Sequence, residues 1–217
     1  MPGSEPVSPQ RRRRAVAPEE RGREADQTRE RIIAAALAEF GAKGYAGART
    51  AGIAARAGVN QQLIAYHFGS KQGLLEELRK RWSNLEREVR AKGESFADSV
   101  RGYLDATLDN RDWARLVIWQ SLGDGPPRDE TAAAQPAAGM DGSVLATAVE
   151  RIGARQRAGE LRADLDPKFI LLLAYLLAFA PIALPAVVEG IYDLEPSSPD
   201  YRRTVLEQLV RVVEPST

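Results

Sequence analysis

Three carboxamide side chains in a row, Asn60, Gln61 and Gln62, open a short apolar-patterned segment that runs through Leu63, Ile64, Tyr66 and Phe68. An amide presents a donor and an acceptor side by side. At the exposed start of a helix it suits bidentate pairing with the N6/N7 edge of adenine, or contact with other base edges. Tyr66 follows about one helical turn after Gln62, placed to touch a thymine methyl group or a phosphate. Arg49 and Thr50 stand at the entry of the preceding segment, where they would grip the backbone of a flanking strand. These groups bind and discriminate; they do not make or break bonds. Catalysis has little to work with, since the chain holds one histidine (His67) and no cysteine. It also lacks a helix-borne carboxylate/histidine cluster and a phosphate-cradling loop. No catalytic residue, metal ligand or cofactor is expected, and an enzyme is the weaker reading.

The elements that position these groups are spelled in residues 53–75. Ile53, Ala54 and Ala57 share one face of a short helix, and Gly58 follows where a helix stops in a left-handed conformation. Asn60 is a favourable N-cap for a second helix, with Leu63, Ile64 and Phe68 at helical spacing and expected, with Val59, to be core. Ser70 can cap a third helix whose inward face is Leu74, Leu75 and Leu78. A small residue, a corner glycine and a branched apolar residue in this order let two helices cross steeply. The result is a helix-turn-helix, whose second helix enters a DNA major groove.

The landmarks Phe40-Gly41-Ala42-Lys43-Gly44-Tyr45, Ile53-Ala54, Ala57-Gly58-Val59 and Tyr66-His67-Phe68-Gly69-Ser70-Lys71, ending in Leu74-Leu75, keep register over about residues 28 to 82. Across that interval the chain resembles the DNA-binding domain of the tetracycline-repressor (TetR) family. The resemblance implies an all-α homodimer, with three N-terminal helices on DNA and a variable C-terminal bundle that dimerises and often holds a small-molecule inducer. It also implies that His67 and Lys71 are phosphate contacts. Two departures stand out. Family members usually carry Ser or Thr where this chain has Ala48 and Arg49, so the start of the second helix is expected to rest on Thr50. The aromatic often found one residue before Tyr66 is Ala65 here.

The net charge of the 217-residue chain is zero, but its distribution is uneven. Residues 27–81 hold 9 basic against 4 acidic side chains, net +5, whereas residues 82–217 hold 15 against 21, net −6. Positive charge is thus concentrated on the helix-turn-helix segment, as attraction to phosphates requires. Residues 1–26, with 6 basic and 5 acidic side chains and few apolar ones, are expected to form a disordered arm. Its run Arg11-Arg12-Arg13-Arg14 fits either an arm lying along DNA or a solubilising tail. No apolar core follows those charges, so no signal peptide is expected. The lack of cysteine fits a cytoplasmic location.

A helix is expected from Thr28 to about Lys43, ended by Gly44, and a long one from Lys71 through Trp82, Leu85 and Val89 to about Lys92. Further helices are expected at 94–109, 111–122 and 143–158, with a mobile Gly/Pro/Ala loop over 123–142. Phe169 to Val188 is twenty residues without a charge, long enough in principle for a membrane span. Pro181 and Pro185 interrupt it and no basic flank marks a cytoplasmic side, so a central helix with one face in its own core and another on a partner is the better reading. Tyr201–Val213 follows, with Val205, Leu206, Leu209, Val210 and Val213 available for a second seam.

The expected fold is therefore all-α, with about nine helices. A disordered arm (1–26) precedes a three-helix DNA-binding domain (27–81) and a C-terminal effector-binding and dimerisation bundle (82–217). Trp82, Tyr103, Trp113, Trp119 and Phe179 lie in helices that would enclose a cavity in the bundle. Aromatic walls suit a flat or greasy ligand, and the same residues serve equally as plain core. The function expected is a dimeric repressor on palindromic double-stranded operator DNA, joined through its last two helices and released by a small apolar or aromatic effector, with no membrane involved. The alternative keeps the fold as an activator or a ligand-independent regulator.

Overall fold

The computed structural model describes residues 18–126 and 142–215. Among them are ten helices and no strand: α1 (Pro18–Gly47), α2 (Thr50–Ala57), α3 (Gln61–Phe68), α4 (Lys71–Lys92), α5 (Phe96–Asp109), α6 (Arg111–Ser121), α7 (Gly142–Arg157), α8 (Pro167–Ala183), α9 (Pro185–Tyr192) and α10 (Pro199–Val213). The Arg11–Arg14 run and most of the expected mobile loop lie outside the described residues.

Helix α1 begins at Pro18, earlier than composition implies. The stretch 18–26 has almost no apolar residues, which reads as disorder, but it is rich in Glu and Arg, and such residues extend a helix once tertiary contacts anchor its far end. At the other end the chain turns sharply at Gly44 (φ 70°, ψ 176°) before one further short turn to Gly47. A side chain at that φ would be strained, which makes glycine the fitting residue.

Two apolar cores organise the molecule. The first gathers Ile32, Ala36 and Phe40 of α1, Ile53, Ala54 and Ala57 of α2, Ile64 of α3, and Leu74, Leu75, Leu78 and Trp82 of α4. It does not stop at the DNA-binding segment. Trp113, Leu116 and Val117 of α6 belong to the same cluster, and the Trp113 ring stacks on Trp82 at 5.0 Å. The boundary expected between residues 81 and 82 falls inside the continuous α4, so head and body share a helix as well as a core.

The second core joins α5, α7, α8, α9 and α10 through Val100, Leu104, Ile152, Ile170, Ala174, Ala178, Val188, Tyr201 and Leu209. The buried Tyr201 hydroxyl donates to the Leu177 carbonyl at 3.1 Å, and burial pushes its phenol up to about 12. Arg202 donates to Asp105 at 2.8 Å and to Asp109 at 2.6 Å, clamping α10 along α5. That placement corrects the expected second seam. Val205, Leu206, Leu209 and Val213 are buried in their own chain's core and Val210 packs against it. The body needs that apolar stripe to cover α5 and α8.

The long apolar run also differs from the single helix expected. It breaks at Leu184, and α8 and α9 meet at 103°. Pro185 supplies no amide hydrogen and fits the first turn of a new helix. On α8, Ile170, Ala174 and Ala178 face the core, while Phe169, Leu172 and Leu176 are exposed. Leu184 at the break and Val187 and Ile191 of α9 continue that exposed apolar set. Among the described residues no single helix is long and apolar enough to cross a membrane; only the sharply bent pair passes the test of length and composition.

Candidate DNA-binding face and effector cavity

The corner between α2 and α3 is built from local signals. Gly58 adopts φ 64°, ψ 39°, and its N–H and that of Val59 close onto the end of α2. Asn60 caps α3: its side-chain oxygen accepts from the Gln62 amide at 2.5 Å. Ser70 caps α4 by accepting from the Gly73 amide at 3.1 Å. The start of α2 is different. Arg49 is its N-cap but makes no side-chain capping bond. Thr50, expected to support that start, is instead the first helical residue, and its hydroxyl accepts from Gln61 Nε2 at 2.9 Å. Thr50 thus ties α2 to the first residue of α3.

Ile64 is buried at 1% exposure and fixes α3 onto α2 and α4, while Val59 and Phe68 pack partly buried beside the core. Leu63 departs from expectation. It is 37% exposed and stands on the outer side of α3 with Gln62 and Tyr66, the latter 82% exposed. Adjacent helical positions differ by about 100°; Leu74 and Leu75 of α4 are both buried, whereas on α3 only the Ile64 side is covered and Leu63 is left partly open. His67 is half-buried, with its ring edge-on to Tyr66 at 5.1 Å and tilted against Phe68 at 6.0 Å.

Lys71 is already engaged. Its ammonium donates to the carbonyls of Tyr45 at 2.6 Å and Ala48 at 2.9 Å, and sits 4.3 Å from the Tyr45 ring centroid. Burial pushes the Tyr45 phenol upward. One donor of the three remains for an anion. The same turn is held from the other side by Asp124, just beyond α6, whose carboxylate accepts from the amides of Tyr45 and Ala46. Trp119 Nε1 donates to the Gly41 carbonyl at 3.3 Å. The turn leading into α2 is therefore clasped by the recognition unit and by the body together. Near the middle of α1, Glu30 forms a two-pronged pair with Arg81, both contacts 2.6 Å, while Glu77 holds Arg29 at 2.9 Å. The Arg81 hydrogen bonds hold the Glu30 carboxyl below the usual glutamate range.

In the body, a cavity of about 270 Å³ lies among the end of α4, α5, α7 and α8. Trp82 and Tyr103, expected as pocket residues, line it, together with Phe96, Val100, Leu171 and Tyr175. The other three do not. Trp113 lies buried in the first core, stacked on Trp82; Trp119 borders a separate groove with Gly41 and Ile182; Phe179 packs against Tyr103 and Tyr175 outside the lining. Tyr175 was missed because it sits in the uniformly apolar run, where one aromatic gives no contrast. Arg151 and Arg155 also line the cavity. Arg155 is oriented by Glu160, both of whose oxygens lie 2.7 Å from Nη1.

A positively charged three-helix head with an exposed, amide-bearing second motif helix, rooted in an all-helical body, defines a helix-turn-helix DNA-binding transcriptional regulator. Comparison with known proteins places it more closely. Residues 32–78 match the family model for bacterial regulatory proteins of the tetR family, and residues 95–211 match that for the tetracyclin repressor-like C-terminal domain. The chain belongs to the TetR family. It is 35% identical over 108 residues to the HTH-type transcriptional repressor SCO4008 of Streptomyces coelicolor, a match covering 48% of this chain and 54% of that one. It is likewise 35% identical over 74 residues to the HTH-type transcriptional repressor NicS of Pseudomonas putida, 32% of this chain and 35% of that protein. The match thus spans about half the length of the first relative and about a third of the second. The crystal structure of SCO4942 from Streptomyces coelicolor shares the fold at a TM-score of 0.67, with 25% identity over 86% of this chain and 98% of that one. A gamma-butyrolactone receptor does so at 0.64, with 23% identity over 88% and 90%.

Proposed function

We propose that the chain is a homodimeric repressor that occupies a palindromic operator and leaves it when a small apolar or aromatic effector enters the body cavity. The observation that carries the reading is the outer face of α3. Gln62, Leu63 and Tyr66 stand exposed on a helix whose other side is locked into the head core by Ile64. Gln61 and Gln62 would meet base edges and Tyr66 a thymine methyl or phosphate. Asn60 sits at the same end, but its oxygen is spent on capping. Arg49, Thr50, His67 and Lys71 surround this face and would contact the phosphate backbone.

The partner surface proposed is the apolar strip of α8 and α9, Phe169, Leu172, Leu176, Leu184, Val187 and Ile191, each at least half exposed. Two copies joined there would carry their heads as a two-fold pair, matching half-sites about one DNA turn apart. An effector against Trp82, Tyr103 and Tyr175 would press on α4, whose other end is the Lys71 clasp. Small displacement of α4 then changes the separation of the heads, and effector and DNA affinities are coupled reciprocally. The HTH-type repressors SCO4008 and NicS support the sign of regulation, and a cytoplasmic site of action follows from binding the operator.

The test is a gel shift with DNA from upstream of the protein's own gene. Gln62→Ala is expected to relax preference at one or two base positions by ~1–3 kcal/mol, and Lys71→Ala to weaken binding on every sequence. Unchanged binding by both variants would sink the assigned face.

A further inference from the structure

We infer that Leu63 is a specificity-determining residue that reads the C5-methyl group of a pyrimidine, thymine in ordinary DNA, in the major groove. The inference rests on the operator-binding reading above and deepens it. Among the described residues of the head, only two large apolar side chains are exposed, Leu63 at 37% and Tyr66 at 82%. Both lie on α3, three residues apart, and so share one face of that helix. The rest of the head buries its large apolar side chains, down to 0% exposure for Ile32, Phe40, Ile53, Leu74 and Leu75. Leu63 thus keeps over a third of its surface open on the face it shares with Tyr66.

The neighbouring polar groups sharpen the assignment. The Asn60 side-chain oxygen is spent on capping α3, and Gln61 Nε2 is spent on Thr50. Gln62 Oε1 in turn accepts from Asn60 Nδ2 at 3.4 Å, so all three amides are partly engaged inside the protein, which reduces the hydrogen-bond discrimination left to them. Leu63 is the third residue of α3, in the N-terminal half that approaches base edges in helix-turn-helix complexes. A leucine there can neither donate nor accept. Against a base edge its one favourable partner is the pyrimidine C5-methyl, which the major groove displays at T·A and A·T pairs and not at unmethylated G·C pairs. Facing a cytosine amino group or a guanine oxygen it would desolvate a polar edge without replacing the lost water bonds.

The experiment selects a duplex from a randomised pool with the full wild-type chain, then replaces each thymine of that duplex singly by deoxyuridine, which removes only the methyl group. Binding is measured for wild type, Leu63→Ala and Leu63→Met, after thermal melts establish that each variant is folded. At one or two thymines per half-site, methyl removal is expected to weaken wild-type binding about 3- to 10-fold, the scale of one buried methyl against an aliphatic chain. Leu63→Ala should bind the thymine and deoxyuridine duplexes there equally, while Leu63→Met keeps the sensitivity. Placing 5-methylcytosine at that position should bind wild type more tightly than cytosine, which shows that the methyl and not the thymine carbonyls is read. Loss of affinity by Leu63→Ala that is the same on every duplex would overturn the assignment and leave Leu63 a support for the helix. Methyl sensitivity undiminished in Leu63→Ala, or no methyl-sensitive thymine at all, would overturn it too. If the pool enriches no duplex, operator binding itself fails and this assignment falls with it.

Discussion

The head and the body of this chain solve opposite packing problems. In the head, two eight-residue helices, α2 and α3, are held between the long α1 and α4, with corners set by Gly58, Asn60 and Ser70 over a tightly buried interior. Among its described residues the exposed large apolar side chains, Leu63 and Tyr66, are confined to α3. The body is a bundle of helices of 8 to 17 residues, and it keeps a cavity of about 270 Å³ inside and a strip of exposed leucines, valine, isoleucine and phenylalanine outside. A void and a bare apolar face are both costly in a lone chain. The head is complete as it stands, because reading bases requires side chains held to a fraction of an ångström on a rigid frame. On the function proposed above, the body would be completed by what it binds, a second copy on the strip and an effector in the void.

That contrast can be broken most decisively at the strip. Leu176→Glu on the exposed face of α8 is expected to yield monomers in sedimentation and to lower affinity for a two-half-site operator at least ~100-fold, since linked heads gain that much from effective concentration. The head fold should be unaffected. A dimer that persists in this variant would remove the body's claim to an unfinished surface.

The next largest effect compares equal deletions in the two regions. Leu74→Ala, at a head position with 0% exposure, is expected to cost ~2–5 kcal/mol in urea unfolding. Leu171→Ala, already beside the cavity, should cost less than ~2 kcal/mol, because its side chain has fewer partners to lose. Equal costs would mean the body is as tightly packed as the head.

The seam between the regions is addressed by Asp124→Ala, which strands the amides of Tyr45 and Ala46. About 1–3 kcal/mol of stability should go with it, and effector-driven release of DNA should weaken relative to wild type. Release that is unchanged would show that the clasp is structural only.

The smallest effect concerns acid. Glu30 titrates below its ordinary value of 4.5 because Arg81 bonds the carboxylate. A depressed carboxyl contributes stability above the unfolded value, and that contribution disappears as pH falls through the folded one. The anchoring of α1 to α4 should therefore soften below about pH 4.5, seen as a falling urea midpoint, with Glu30→Gln showing a shallower dependence. The pair is solvent-exposed, so the change will be modest.

How much was readable in advance depended on the range of the interaction. Caps at Asn60 and Ser70 and the left-handed Gly58 involve partners within a few residues, and each was legible as such. Lys71, read as a phosphate contact, carries two bonds to carbonyls more than twenty residues away, which no local pattern announces. Of the five aromatics expected around a cavity, Trp82 and Tyr103 line the one in the body, whereas Trp113, Trp119 and Phe179 lie outside it, because helix azimuth is set by neighbours.

From its sequence alone this protein was committed to helices, to a glycine corner between two of them and to a basic, amide-bearing head, because short-range hydrogen bonds, backbone dihedral preferences and apolar spacing act within a turn or two of chain. Only the tertiary structure decided that Leu63 faces outward, that α10 turns its stripe inward, that the apolar run bends at Leu184, and that four helices leave a void between them. Those outcomes depend on which surfaces compete for burial across the whole chain, and a helical stripe does not say which neighbour will cover it.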